Sequence, residues 1–212
     1  MGMILYGYAL SSASYRVRIA LKLKRLEVTT VPIHLRRGEQ RQPEFLQLNS
    51  QGFVPALRLD DGEVLTQSMA IIEYLEEMYP QPPLLPAAPA ARARVRAFCQ
   101  LIACDVHPLN NLRVLKYLEA QLGLDENARN AWYRHWIQAG FEALEQSLTR
   151  DAFLGRFCHG DSPGLADVLL VPQVFNARRF SVDLAPYPRI AAIDATCGEI
   201  PAFADAAPER QS

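Results

Sequence analysis

The chain has 212 residues, 50% of them hydrophobic and 21% charged, with a formal net charge of −1. This is an ordinary globular balance, long enough for one or two domains. So small a net charge gives no electrostatic reason to expect nucleic acid or a membrane surface as partner, and no apolar run approaches the roughly 18 residues needed to cross a bilayer.

The opening MGMILYGYALSS has no basic region before its apolar part and does not read as a secretory signal. Residues 3–6 form a short β-type run. Ser11 and Ser12 then precede a helical pattern with Val17, Ala20 and Leu21 on one face and Ile19, Leu23 and Leu26 on another. A helix apolar on two sides packs between layers. Residues 28–33 read as a second strand, in which Pro32 points to a sheet edge or a strand end. Pro43 starts a short helix that ends near Asn49. The run from Phe53 to Leu57 is interrupted by Pro55, which implies either an edge strand or a cis Val54–Pro55 bond. The second option leaves the N–H and C=O of Val54 open to a peptide-like ligand. Asp60-Asp61-Gly62 between apolar runs signals a hairpin. Gln67-Ser68 stands where a helix begins, with Ile71, Leu75 and Met78 at helical spacing. Strand, helix, strand, helix, hairpin, helix is the order of a thioredoxin-like α/β half, expected over residues 1–80.

A proline-rich break follows, with a linker over residues 81–88. Beyond it strand signals vanish, and residues 89–212 read as an all-α domain. Residues 90–122 form one long helix or two abutting ones, kinked or stopped by Pro108. Residues 127–149 carry Trp132, Trp136, Ile137, Phe141 and Leu144. Residues 165–180, 188–198 and 201–207 complete the helical half, and the tail after Pro208 is expected to fray. Cys99, Cys104, Cys158 and Cys197 show neither CxxC nor metal spacing, so a reducing, cytoplasmic location and no metal are expected.

Chemistry concentrates at two helix starts. Unpaired N–H groups and a partial positive charge make the Ser68 end a carboxylate site, unless Ser68 only caps. Ser11 or Ser12 is either an N-cap or a hydroxyl donor to a bound thiolate; a thiol of pKa near ~8.5 ionises more readily beside a helix start. No triad base lies near them in sequence. His107, directly before Pro108, reads as a core or capping residue. Glu142, Glu145, Glu73, Glu76 and Glu77 read as solvated helix faces. Tyr6, Tyr8 and Tyr15 surround the serines, and packing accounts for them equally well.

The segment from Ser11 to Ala20, SSASYRVRIA, is similar to the Ser-Ser-Cys-x-x-Arg-Val-Arg-Ile-Ala motif of zeta-class glutathione transferases, a class that includes maleylacetoacetate isomerases. The resemblance continues at Gln67-Ser68, Ala70 to Glu77, Leu84-Leu85-Pro86, Asp105-Val106-His107-Pro108 with Asn110-Asn111, Leu170 to Val174 and Asp183 to Pro188. Ala13 replaces the motif's cysteine, which excludes a mechanism using that thiol. Gly164 stands where the superfamily has a hydroxyl-bearing cap, with Asp167 structural.

The resemblance implies the glutathione transferase fold and glutathione as cofactor. Val54 and Pro55 would meet its cysteinyl part, Gln67 and Ser68 its γ-glutamyl carboxylate, and Ser11, with Ser12 as second choice, its sulfur. Positions matching His107, Asn111, Arg113 and Arg179 line the electrophile site, Asn111 on the glutathione side. The implied activity is glutathione-dependent cis–trans isomerisation of a maleyl-type diacid in aromatic catabolism. Leu10, where members acting on maleylpyruvate can carry an arginine, favours maleylacetoacetate. Maleylpyruvate isomerisation, conjugation or dehalogenation of α-halo acids, and a non-catalytic interaction module are the alternatives. A homodimer pairing the first domain of one subunit with the second of the other is also implied.

Overall fold

In the computed structural model, which describes residues 2–211, four short strands form one sheet in the order β2-β1-β3-β4. β1 (Ile4–Gly7) pairs in parallel with β2 (Thr29–Pro32) and antiparallel with β3 (Ala56–Arg58), which turns back into β4 (Val64–Thr66). β2 is an edge strand and Pro32 its last residue, where a missing N–H is tolerated. Pro55 precedes a central strand, and of the two explanations for it the cis Val54–Pro55 bond is the one found. In the hairpin, Leu59 N–H donates to the Glu63 carbonyl at 2.8 Å and Gly62 turns with φ 93°. That left-handed φ is one that glycine adopts without a Cβ clash.

Helix α1 (Ser12–Leu23) connects the parallel strands, α2 (Pro43–Leu48) follows β2, and α3 (Ser68–Met78) follows the hairpin. Every residue of α1 from Ser12 to Leu21 is buried, as its two apolar faces imply, and α3 packs Ile71, Ile72 and Leu75 inward.

Past the proline break, α4 (Pro89–Gln100) runs into a π-helical turn, Leu101–Val106, then a 3-10 turn, Pro108–Asn110, and α5 (Leu112–Ala120). Pro108 ends the long helix, as its missing N–H requires. The π turn comes as news: His107 N–H reaches back to the Ile102 carbonyl at 2.9 Å. α6 (Glu126–Arg150) passes it closely at Gly140, where a Cβ would stand 2.2 Å from Val106 Cγ2. α7 (Leu165–Arg179) is buried continuously from Leu165 to Val174, the pattern of a central core helix. α8 (Pro188–Gly198) and α9 (Pro201–Ala204) follow.

Three sequence expectations change here. The chain divides into two compact units, but the first runs to Leu84 and takes back everything from Glu199 on, while the second is Leu85–Gly198. Arg18 Nε donates to the Ala206 carbonyl at 2.9 Å, the Tyr15 hydroxyl reaches the Phe203 carbonyl at 3.4 Å, and Phe203 and Ala206 are fully buried. Residues 201–207, expected to complete the second half, therefore cover α1 of the first, and the tail after Pro208, expected to fray, starts with a 3-10 turn at Pro208–Arg210. Nor are all the glutamates solvated. Glu76 forms a buried ion pair with Lys24 at 2.5 Å and accepts the Leu84 N–H. Lys24 also donates to the carbonyls of Tyr79 and Pro82, at 2.7 and 2.8 Å. Glu145 accepts the N–H groups of Arg189 and Ile190 at 2.9 and 3.0 Å, capping the start of α8. All four cysteines are free thiols. Among the described residues no helix is long and apolar enough to cross a membrane.

Candidate active site

The sheet register gathers three chain segments at one end of the first unit. Tyr6 pairs with Ala56 and Ala56 with Thr66, so the loop leaving β1, the Val54-Pro55 turn entering β3 and the Gln67-Ser68 step leaving β4 share that end. Ser11 is the N-cap of α1: its Oγ accepts the Ser14 N–H at 3.2 Å, while no acceptor meets its own O–H among the described residues. Capping uses the oxygen's lone pair and leaves the proton to donate, so the two sequence readings of Ser11 coexist. Ser12 is buried, at 5% exposure, whereas Ser11 is half-buried.

The paired arginines of the motif hold this arrangement. Arg18 donates to the carbonyls of Tyr8 and Ala9, at 3.4 and 3.0 Å, fixing the loop that delivers Ser11. Burial lowers its pKa to about 10, which still leaves it charged at neutral pH. Arg16 Nη1 reaches the Ser68 Oγ at 3.4 Å and so ties α1 to the start of α3.

The backbone N–H and C=O of Val54 have no partner among the described residues. Gln67 sits at φ 68° and ψ 116°, a conformation non-glycine residues rarely hold and one that clusters at ligand sites. Its side chain donates to Gln51 Oε1 at 2.9 Å, and Ser68 opens the α3 N-terminus beside it. Gln40 was not visible in the sequence, where it lies in a polar loop. It is 8% exposed, its Oε1 has no partner among the described residues, and its carbonyl lies beside Gly52, two residues before Val54. Of the tyrosines, Tyr15 bonds to Phe203, Tyr6 meets Phe45 edge-on and Tyr8 lies 5.3 Å from the His34 ring. Packing accounts for all three.

In the second unit, His107 follows the π turn and Asn111 caps α5, its Oδ1 accepting the Arg113 N–H at 3.0 Å. Arg113 is exposed. The neighbouring arginines at the end of α7 divide the work. Arg178 pairs with Asp194 at 2.6 Å, whereas Arg179 meets no carboxylate among the described residues. The Arg179 guanidinium carbon stands 5.7 and 5.8 Å from the ring centres of Phe175 and Phe180. A left-handed Ser181, φ 55°, closes the helix through Val182 N–H to the Ala177 carbonyl, which fixes Arg179 and Phe180. Asn110 Nδ2 donates to the Tyr133 carbonyl at 3.1 Å and Tyr133 stacks on Phe180, so the turn bearing Asn111 meets the end of α7. Asp167 is structural as expected, its carboxylate accepting the Gly164 and Cys158 N–H groups at 2.8 and 2.9 Å.

A family profile for the glutathione S-transferase N-terminal domain matches residues 10–78. Maleylacetoacetate isomerase of Pseudomonas aeruginosa is 50% identical over 211 residues, 99% of this chain and 97% of its own. The holo structure of a maleylpyruvate isomerase, described as a bacterial zeta-class glutathione S-transferase, superposes with a TM-score of 0.96 at 51% identity, covering 98% of both chains. This chain is a zeta-class glutathione transferase. A second structure, maleylacetoacetate isomerase of Methylobacterium extorquens with bound malonate and glutathione, is 42% identical at TM-score 0.96 over 99% of this chain and 98% of that one. Ala13 is buried in this transferase and brings no thiol to the start of α1.

Proposed function

We propose that this transferase is a glutathione-dependent isomerase of maleyl-type diacids and that its substrate is maleylacetoacetate. The observation that carries this is the meeting, at one end of the sheet, of an unpaired Val54 peptide group with two serine-started helices. These groups suit a γ-glutamyl peptide with a thiol. Val54 offers both partners of a peptide pair, Gln67 and Ser68 offer a helix start to a carboxylate, and the Ser11 O–H offers a donor to sulfur. When bound, glutathione supplies a thiol whose reversible addition turns the activated double bond into a single bond free to rotate. The protein holds the sulfur ionised through Ser11 and the α1 N-terminus, and orients the diacid through Arg179 with help from Arg113. His107 belongs with these arginines on the diacid side, and Asn111 serves glutathione. The first unit is the glutathione-binding part and the second the diacid-binding part of a cytoplasmic homodimer.

The names of the similar proteins agree with both maleylacetoacetate and maleylpyruvate as substrates, and Leu10 favours the first. Assay of both acids side by side with glutathione tests this. A higher kcat/KM with maleylacetoacetate is expected. A higher value with maleylpyruvate selects that substrate instead, and no glutathione-dependent isomerisation of either acid refutes the activity.

A further inference from the structure

Tyr133 lies on the inner side of α6, 6% exposed, with its ring flat on Phe180: centroids 3.5 Å apart and planes 9° from parallel. Its carbonyl accepts from Asn110, but its hydroxyl has no hydrogen-bond partner among the described residues. The ring is buried, but its oxygen keeps contact with solvent, so the hydroxyl stands open to an acceptor on a ligand. Phe180 is also the ring beside which Arg179 stands. One phenyl ring thus carries an unpaired phenol and a guanidinium without a carboxylate. The charge of Arg179 is felt at Tyr133, where it opposes the burial that pushes the hydroxyl's pKa up to about 12. The phenol therefore stays protonated at neutral pH and is able to donate.

Taking Arg179 as the diacid-binding residue proposed above, we infer that Tyr133 is a second substrate contact, its hydroxyl donating a hydrogen bond to the same carboxylate. A carboxylate has about four acceptor positions and a bidentate guanidinium occupies two, which leaves room for a phenol. Phe175 and Phe180 keep the surroundings apolar, where a hydrogen bond to an anion is strengthened. As a neutral donor, Tyr133 adds no second charge to desolvate. It also fixes the direction of the carboxylate, which one exposed arginine leaves free to swing.

Tyr133→Phe removes the oxygen and keeps the ring stack. Its kcat/KM for maleylacetoacetate should fall at least about tenfold, the size of a hydrogen bond to a charged group. Malonate affinity, measured by calorimetry with glutathione present and so independent of turnover, should fall by a similar factor. Glutathione KM should hold, and the Tm of the unliganded protein should stay level, because the hydroxyl bonds nothing within the protein. Diacid kcat/KM and malonate affinity within about twofold of wild type would overturn the inference. So would a lower Tm with parallel losses for diacid and glutathione, the mark of a structural role. Arg179→Ala, measured alongside, separates the failures. If it leaves the diacid parameters unchanged, the role of Arg179 falls and this inference with it; if it impairs them while Tyr133→Phe does not, only the role of Tyr133 is lost.

Discussion

Ser11→Ala removes an oxygen with two uses. As the cap of α1 it accepts the Ser14 N–H at 3.2 Å, a contact whose loss costs about 1 kcal/mol. For a protein of this size that lowers Tm by roughly 2–4 °C. The O–H, which meets no acceptor among the described residues, is the donor proposed for the thiolate of bound glutathione. A hydrogen bond to a charged group contributes roughly 1.5–3 kcal/mol, so its loss should raise the thiol pKa by about 1–2 units. Turnover should fall by roughly 10²–10³, as when one preorganised donor is removed. Ser11→Asp separates the two uses. Aspartate caps about as well as serine, so Tm should return, while its carboxylate has no proton to give and repels the anion. The assays are turnover at saturating glutathione, thiolate absorbance against pH in the complex, and thermal unfolding. Turnover of Ser11→Ala within about threefold of wild type, or an Asp variant as active as serine, would remove the catalytic role and leave Ser11 a cap.

Lys24→Met takes the cation from the Glu76 carboxylate at 8% side-chain exposure, and removal of one partner from a buried pair costs about 3–5 kcal/mol. Thermal unfolding should drop by roughly 6–20 °C, and Lys24→Met with Glu76→Leu should recover most of it; a single-variant loss below about 1 kcal/mol would show the pair to be solvated. Sedimentation at micromolar concentration should give about twice the 23.8 kDa chain mass, and a mass near the single chain would rule out the homodimer.

The first unit was legible because its signals are local. The apolar periods, the Asp-Gly turn and the two serine-led helix starts lie within a few residues of the elements they specify. Even there the pattern is approximate: Ile71 and Leu75 are buried as their spacing requires, but Met78 is 57% exposed. What escaped depends on distant partners. Glu76 stands among acidic neighbours and is buried because of Lys24, 52 residues earlier. The return of the C-terminal segment rests on Arg18 and Tyr15 bonding to backbone carbonyls, which any residue carries. The π turn spans six residues, too few for its wider period to stand out from that of the α-helix before it. Tyr133 sits in an aromatic stripe that reads as core, and only coordinates reveal that its hydroxyl lacks a partner. By residue chemistry alone the two arginines at the end of α7 look alike, and it was the resemblance that singled out Arg179; the pairing of Arg178 with Asp194 shows only in three dimensions.

The return of the segment from Glu199 to the first unit also bears on how the protein is made. During synthesis the sheet and its helices emerge first, but the carbonyls of Phe203 and Ala206 that receive Tyr15 and Arg18 follow only after the whole second unit. Until then the guanidinium of Arg18, 6% exposed in the finished protein, lacks one of its three acceptors. The half that meets the ribosome's exit first is thus the half completed last. The first unit is not one continuous stretch of chain, and excised at Leu84 it leaves behind part of its own wall.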